Sequence, residues 1–302
     1  MLLVPRKLRS LFQRPQVKTP LLKKIFAIAL LFCVGLGISL TIFEITTVEV
    51  PVLGFHDVID ISNPEELPPK RLSQEGDYTK QKLATFIEDL VRENYWFLST
   101  AELYDYFLSP HKRAIPKEHQ NQNPLLLTFD DGYKSAHKNI LAIAEDIERR
   151  YGKKIKIVWF INPAFLGHHG TKLERISCND LRTGLERGYY DVQSHGLNHL
   201  NLTQIPDKQL DRELKVAKEE LKTCTQGLDP DNLVASQIAY PFGAVNARVK
   251  ERVARYYKAG YLYNSRILRP KYLKDNYLIP RLTIYNEVSV KRLKILAAGG
   301  WL

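Results

Sequence analysis

The amino-acid sequence predicts an α/β domain, built as a barrel or a doubly wound sheet. Short apolar runs alternate along the chain with segments whose apolar residues recur at helical spacing. No linker rich in glycine or serine interrupts this alternation between residues 50 and 285. Polar side chains follow several of the apolar runs, and ligand and catalytic groups gather at the carboxyl ends of parallel strands. We therefore expect one domain with a site at that edge of its sheet.

The individual elements follow from spacing and from boundary residues. Ser99 or Thr100 is expected to cap the second helix, and Gly188 to close the fourth. Strands are predicted at 50–55, 125–127, 154–161, 189–195, 233–243, 261–264 and 278–285. Helices are predicted at 78–93, 101–108, 135–150, 178–188, 207–224 and 246–259.

The positive charge of the chain is concentrated near its N-terminus. The 302 residues carry a formal net charge of +11. Residues 1–24 hold seven lysines and arginines and no acid, which leaves +4 for the remaining residues. Nucleic-acid binding, which a strongly basic chain suggests, loses its main support once this charge has a local explanation.

That explanation is the uncharged apolar run at 25–43, IFAIALLFCVGLGISLTIF. About 20 apolar residues span a bilayer, and preceding basic residues keep that end in the cytoplasm. A cleaved signal peptide is the alternative, but no small-residue cleavage site follows the run. We expect a basic cytoplasmic tail at 1–24, a transmembrane signal anchor at 25–43 and a catalytic domain at 44–302. This domain would be periplasmic or extracellular.

The cysteines leave one question open. Cys178 and Cys224 would lie in an oxidising compartment, where a disulfide between them is compatible with the sequence. The sequence cannot place their Cα atoms within bonding distance. Cys33 belongs to the apolar run, and none of the three has metal-site spacing.

The stretch LLLTFDDGY, residues 125–133, places two acids at the end of an apolar strand. A carboxylate there is costly unless it is hydrated, paired or bound to a metal ion. Neighbouring residues on a strand point to opposite sides, so Asp130 and Asp131 are expected to have different roles. Gly132 then allows the backbone to turn sharply.

A second polar stretch, SHGLNH, places His195 and His199 four residues apart. On a helical turn both rings project from the same face and can reach one cation. Two imidazoles and one carboxylate are typical ligands of catalytic zinc, which keeps an open coordination position. Co²⁺ or Ni²⁺ would also accept nitrogen and oxygen ligands.

Three ordered motifs resemble those of one enzyme family. TFDDG at 128–132, H-x-x-x-H at 195–199 and AYPFG at 239–243 are together similar to the polysaccharide deacetylases of carbohydrate esterase family 4. The resemblance extends over residues 50–285 and implies a distorted (β/α) barrel that acts on an acetylated polysaccharide.

The resemblance also implies roles for individual residues. Asp131, His195 and His199 would bind the metal ion, most simply Zn²⁺. Asp130 would be the general base, and the backbone amide of Phe242 would stabilise the oxyanion of the tetrahedral intermediate. Two further residues flank the motifs and are expected to contact substrate, namely Tyr133 and Tyr240.

The chain departs from the family pattern at Gly196, where many relatives have Ser or Thr, and at two places that concern catalytic groups. Ala239 stands where the family has an arginine that pairs with the base, and no histidine follows His199 to act as the C-terminal general acid. The opening VPVLGFHDV resembles a subgroup that deacetylates poly-N-acetylglucosamine and carries its general acid near the N-terminus. His56 is then the expected acid, and Arg281 is a candidate replacement for the missing arginine.

These observations favour a metal-dependent deacetylase of N-acetylated amino sugars in a cell-envelope or extracellular polysaccharide. An esterase acting on O-acetyl groups is the enzymatic alternative. A catalytically inactive glycan-binding or assembly protein of the same fold is the alternative from another class. A glycosidase is disfavoured, because its two carboxylates must lie roughly 5 Å or more apart across the sugar.

Overall fold

The computed structural model describes residues 25–26, 28–32, 48–169 and 173–300. The predicted tail at 1–24 lies outside these residues, as does most of the predicted transmembrane segment, of which 25–26 and 28–32 are helical. In the described part of the chain, no helix is both long enough and apolar enough to cross a bilayer. The domain boundaries and the membrane anchor therefore remain predictions.

The centre of the fold is a parallel sheet. Its strand order is β10-β1-β5-β6-β7-β8-β9, with β4 paired beside the start of β5, while β2 and β3 form a separate parallel pair. The strands are β1 Val52–Phe55, β2 Asp57–Ile59, β3 Asp77–Thr79, β4 Trp96–Phe97, β5 Pro124–Asp130, β6 Ile157–Ile161, β7 Tyr190–Ser194, β8 Ile238–Ala239, β9 Gly260–Tyr261 and β10 Leu282–Thr283.

Helices follow most of these strands, as the alternating pattern predicts. Ser99 and Ser177 each begin a helix with a capping box, the first as expected from the sequence. The helices are α1 Lys80–Arg92, α2 Thr100–Leu103, α3 Lys134–Tyr151, α4 Cys178–Glu186, α5 Asp207–Cys224, α6 Ala247–Val253 and α7 Val290–Ala297. A π-helical turn, Tyr104–Leu108, continues α2, and short 3₁₀ turns occur at Pro64–Glu66, Lys117–His119, Pro163–Phe165, Pro241–Gly243 and Pro270–Tyr272.

The two edges of the sheet are joined by one segment of chain. The Leu262 amide donates to the Ile279 carbonyl over 2.7 Å, and the Ile279 amide donates to the Gly260 carbonyl over 2.9 Å. Ile279 thus pairs with β9 three residues before the chain enters β10. The parallel sheet therefore curls back on itself, consistent with a (β/α) barrel.

Apolar side chains fill both faces of this curled sheet. One cluster packs inside the curl and includes Leu126, Phe160 and Tyr261, with Leu103 and Phe107 closing one end. Two further clusters pack between the outer face of the sheet and the helices. Full burial of each large apolar side chain contributes about 1.5–3 kcal/mol.

Several predicted elements are shorter than their apolar runs suggest, and the strand predicted at 261–264 keeps only Tyr261. The predicted strand 233–243 is wrong except at Ile238–Ala239. The Asp229 carboxylate accepts the amides of Leu233 and Val234, and Ala235 has a left-handed φ of 50°, so the run turns there and buries its apolar side chains from a loop. The predicted strand 278–285 shrinks to β10, because it contains Pro280, which has no N–H to pair.

The predicted helix 246–259 is also shortened, since α6 ends at Val253. Lys258 already bonds through its amide to the Ser236 carbonyl at the entrance of β9. The chain must therefore leave the helix early enough to turn toward that strand.

The structure answers the open question about the cysteines. Cys178 at the start of α4 and Cys224 at the end of α5 form a disulfide, with their Cα atoms 5.3 Å apart. The bridge joins residues 46 apart in sequence and links two neighbouring helices of the outer layer.

Removing this disulfide should weaken the fold. We expect Cys178→Ala/Cys224→Ala to lower the free energy of unfolding by roughly 2–4 kcal/mol, because the bridge restricts the unfolded chain. Urea denaturation of the full chain, with and without reductant, measures the difference. Cys33→Ala is the control, and equal stability of the double variant and the parent chain would contradict the expectation.

Candidate metal and acid–base site

The two aspartates of the sequence motif point to different neighbours. Asp130 is the last residue of β5, whereas Asp131 lies beyond the strand with a left-handed φ of 67°. Gly132 follows with φ of 66°, and a Cβ there would lie 2.8 Å from Ile161 and from Ile176. The expected division of the pair is thus present. Its cause is this tight left-handed turn rather than the alternation of a continuing strand.

Asp131 lies beside both motif histidines. One ligand atom from each of Asp131, His195 and His199 lies within 4.8 Å of the others. The Asp131 Oδ1 is 3.3 Å from His199 Nε2 and 3.7 Å from His195 Nε2. This oxygen is buried and has no hydrogen-bond partner among the described residues. Because a buried carboxylate oxygen without a partner is costly, this donor set fits a divalent cation.

The ring of His195 is oriented as a ligand requires. Its Nδ1 lies 2.9 Å from the Ala239 carbonyl oxygen, so Nδ1 carries the proton and Nε2 presents its lone pair toward Asp131. Burial lowers the pKa of His195 to about 4, although the nearby carboxylates oppose that shift. The imidazole is therefore neutral at pH 7. The residue that replaces the family arginine, Ala239, thus contributes through its backbone.

The histidine loop is not the helical turn that the spacing suggests. Residues 195–199 are outside any helix, and Gly196 and His199 have left-handed φ values of 73° and 55°. The buried Glu213 of α5 holds this loop instead: its Oε2 accepts the amides of Leu197 and Asn198 over 3.0 and 2.9 Å.

Glu213 is a supporting residue that the sequence reading missed. A signal was available, since Glu213 falls among the buried residues of an otherwise apolar helix face that includes Leu210, Leu214 and Ala217. A carboxylate on the apolar face of an amphipathic helix needs a buried donor, and the histidine loop supplies two.

Asp130 forms a buried ion pair with Arg281. The two guanidinium nitrogens Nη1 and Nη2 each donate to one carboxylate oxygen over 2.7 Å, and Arg281 is fully buried. Burial opposes ionisation of Asp130, but Arg281 and His195 outweigh it and lower the pKa of Asp130 to about 2. The structure thus brings together the two side chains that the sequence analysis paired.

His56 lies across the same cavity, half-buried at the end of β1. Its Nδ1 is 3.4 Å from the Tyr263 hydroxyl, and the two rings meet edge to face. Gly76 packs closely on it, since a Cβ at Gly76 would lie 3.0 Å from the His56 Cβ. The segment between β2 and β3 therefore helps to confine this ring.

A buried charge cluster anchors that segment next to His56. Arg71 donates to Asp57 over 2.6 Å and to Asp77 over 2.7 Å, and the Ser135 hydroxyl also donates to Asp57 over 2.7 Å. Sequence reasoning did not identify these residues, because they come from three separate segments that only the fold brings together.

The predicted aromatic residues differ in how they reach the cavity. Phe242 has a left-handed φ of 61°, is 65% exposed and places its ring edge to face with His199. Its amide N–H donates to no acceptor in the described part of the chain.

Tyr240 is fully buried and its hydroxyl donates to the Tyr277 carbonyl. Tyr133 lies under the Arg175 guanidinium, and burial raises the pKa of Tyr133 to about 12.

All nine residues singled out from the sequence line one cavity of 440 Å³. The cavity lies at the carboxyl ends of the strands, the edge expected from the sequence. Its lining includes His56, Asp130, Asp131, Tyr133, His195, His199, Tyr240, Phe242 and Arg281.

A family model matches the segment that carries most of this arrangement. Residues 117–261 match the family described as polysaccharide deacetylase, and this segment contains the two aspartates, both histidines and Phe242. The chain thus carries a polysaccharide deacetylase domain, which confirms the resemblance drawn from its motifs. His56 and Arg281 lie outside the matched segment. No curated protein sequence matches the chain.

Solved structures share the fold. A polysaccharide deacetylase from Bacillus cereus is 19% identical with a TM-score of 0.67, and the match covers 82% of this chain and 69% of that one. The Streptococcus pyogenes deacetylase PplD is 19% identical with a TM-score of 0.66, covering 83% and 99%. IcaB from Ammonifex degensii is 18% identical with a TM-score of 0.62, covering 82% and 97%.

Loss of the support from Glu213 should weaken metal binding. We expect Glu213→Gln to lower Zn²⁺ affinity by roughly 10–100-fold, because the loop that carries His199 loses a carboxylate that fixes two of its amides. Competition with a chromophoric chelator measures the affinity. Asp131→Asn, which removes a candidate ligand, should cause a larger loss.

Two matched variants serve as controls. Glu220→Gln makes the same change on an exposed part of α5, and Glu75→Gln removes an exposed carboxylate from the same cavity. Both should bind Zn²⁺ like the parent chain. Unchanged affinity in Glu213→Gln would show that the loop keeps its geometry without this residue.

Proposed function

We propose that the protein is a metal-dependent deacetylase that removes acetyl groups from N-acetylated amino sugars of a cell-envelope or extracellular polysaccharide. One observation carries the proposal: a single cavity holds a three-residue metal-ligand set and, beside it, a separate carboxylate paired with a buried arginine. A glycan-binding protein has no need for that second carboxylate. The similar folds of PplD, whose structure is described as a deacetylase, and IcaB support the proposal.

Asp131, His195 and His199 would hold the cation, with Zn²⁺ favoured and Co²⁺ or Ni²⁺ compatible with the same donors. A divalent cation supplies a Lewis acid that polarises a carbonyl and lowers the pKa of water. Asp130 is ionised at neutral pH because Arg281 compensates its charge, and it is oriented by both guanidinium nitrogens. It would accept the proton of the water that attacks the acetyl carbon.

Two other groups complete the chemistry. The unpaired amide of Phe242 would donate to the oxyanion of the tetrahedral intermediate, with no backbone rearrangement needed to free it. His56, on the other side of the cavity, would protonate the leaving amine of the sugar. The Tyr263 hydroxyl and Gly76 restrict the position of its ring.

We further propose that the domain works outside the cytoplasm, on an uncleaved anchor. Support comes from the charge-free run at 25–43 behind seven basic residues, and from the Cys178–Cys224 disulfide, which is typical of oxidising compartments.

Acetate release tests the proposed activity. The full chain, purified in detergent and loaded with Zn²⁺, should release acetate from N-acetylglucosamine oligomers. Asp130→Asn should lower the turnover number by roughly 10²–10⁴-fold, because it removes the proton acceptor, and His199→Ala should abolish turnover through loss of metal. Glu75→Gln is the control. Release from an acetyl ester alone would favour the O-acetyl esterase, and bound zinc without turnover on either substrate would oppose a deacetylase.

The role of His56 can be tested by the leaving group. An amine leaves only when protonated, whereas an alkoxide leaves more readily, so His56→Ala should slow amide hydrolysis by roughly 10²-fold or more and ester hydrolysis less. The comparison uses an N-acetylated oligomer and an acetyl ester under the same conditions, with His111→Ala as a surface control. A variant that loses ester hydrolysis but keeps amide hydrolysis would contradict this assignment.

A further inference from the structure

Charged residues are divided unequally between the two ends of the barrel. Among the described residues, the connections that follow the strands at the cavity end contain four basic and seven acidic residues; the segments counted are 60–76, 131–133, 162–169, 173–177, 195–206, 240–246, 262–267 and 284–289. The connections that lead into the strands at the opposite end contain twelve basic and eight acidic residues. The opposite-end segments counted are 48–51, 93–95, 98–123, 152–156, 187–189, 225–237, 254–259 and 268–276.

Much of this positive charge is exposed and uncompensated. Six lysines at the opposite end are exposed and have no acidic partner among the described residues; we refer to them as the basic rim. Only two exposed acids there, Glu118 and Asp231, lack a basic partner in the same part of the structure. The basic rim consists of Lys112, Lys117, Lys153, Lys258, Lys271 and Lys274.

The chain also enters the domain at this end. Val50 donates through its amide to the Leu268 carbonyl over 2.9 Å, and Glu49 pairs with Arg269 over 2.6 Å. The connection that carries Lys271 and Lys274 is therefore fastened to the first residues of the domain. In the sequence, only residues 44–47 separate the apolar run from Val48, and the five steps from residue 43 to Val48 span at most roughly 17 Å.

We propose that the basic rim contacts anionic phospholipid headgroups of the membrane from which the chain emerges, so that the cavity opens away from the bilayer. Each lysine close to an anionic surface strengthens binding by roughly fivefold, and six are available. Screening limits this attraction to about 8 Å at physiological ionic strength. The short tether allows the basic rim to come within that distance of the bilayer. The substrate would then be a polymer beyond the membrane rather than a sugar held in the headgroup layer. This orientation rests on the anchor proposed above.

Hydrogen exchange of the full chain in lipid nanodiscs tests the orientation. Nanodiscs of phosphatidylcholine are compared with nanodiscs containing about one-third phosphatidylglycerol. The anionic lipid should slow exchange about tenfold or more in peptides that cover 109–117 and 268–276, and about 0.5 M salt should reverse the effect. Peptides that cover 60–76 and 240–246, at the cavity end, should exchange equally in both.

Two charge-reversal variants separate position from net charge. Lys112→Glu/Lys271→Glu/Lys274→Glu should lose the protection. Lys208→Glu/Arg212→Glu/Lys215→Glu, which changes net charge equally on exposed positions of α5, should retain it. Acetate release measured on the same preparations separates failure of this proposal from failure of the proposed function.

Three outcomes would overturn the proposal. Protection of the cavity-end peptides would mean that the cavity faces the bilayer. Equal exchange in both lipids at 109–117 and 268–276 would mean that the rim makes no lipid contact. Equal protection by soluble polyphosphate would mean that the rim binds polyanions in general and is not directed to a membrane.

Discussion

The ion pair between Arg281 and Asp130 connects the closure of the barrel to the chemistry of its cavity. Two charges are taken out of water here, which is tolerable only because both carboxylate oxygens meet a guanidinium nitrogen. Arg281 also donates through Nε to the Leu262 carbonyl beyond β9 and through Nη1 to the Thr128 hydroxyl. One side chain therefore ties the segment that joins both edges of the sheet to the central strand β5, and keeps Asp130 ionised. Loss of one partner of such a buried pair typically costs about 3–5 kcal/mol.

Around this pair, the fold separates two carboxylates that are adjacent in sequence. The left-handed residues Asp131 and Gly132 end β5 abruptly, and this turn directs Asp131 toward the histidines while Asp130 remains with Arg281. A second irregular loop, held by Glu213, brings His199 to the same place. Both loops contain residues with left-handed backbone conformations, which ordinary strands and helices lack. The positions of the candidate donors consequently depend on supporting residues as much as on the donors themselves.

The two ends of the barrel have different electrostatic character. Because the strands are parallel, the connections that leave the main strands lie at the cavity end and those that lead into them lie at the other end; the segment 98–123, which follows the short strand β4, leads into β5 and lies at the opposite end. Acidic residues are in excess where a cation and an amine would be handled, whereas exposed lysines surround the end where the chain enters. The cavity and the basic rim thus lie at opposite ends of one sheet.

The order of elements and the residues that line the cavity could be predicted from the sequence alone. Apolar spacing reflects burial directly, and TFDDG, H-x-x-x-H and AYPFG are short local patterns. Local patterns do not show where a buried apolar segment stops pairing with the neighbouring strand. The strand expected at 233–243 is therefore mispredicted: most of it is a loop held by Asp229.

Nor could local patterns show that His195 and His199 approach Asp131 from an irregular loop. The support of this loop by Glu213 and the disulfide between Cys178 and Cys224 were equally hidden from them. These contacts join residues far apart in the chain, and their distances arise only when the sheet curls. The residue types along the chain specify which chemical groups are available. Which of these groups touch depends on folding, because the contact between Asp130 and Arg281 requires the ends of the sheet to meet.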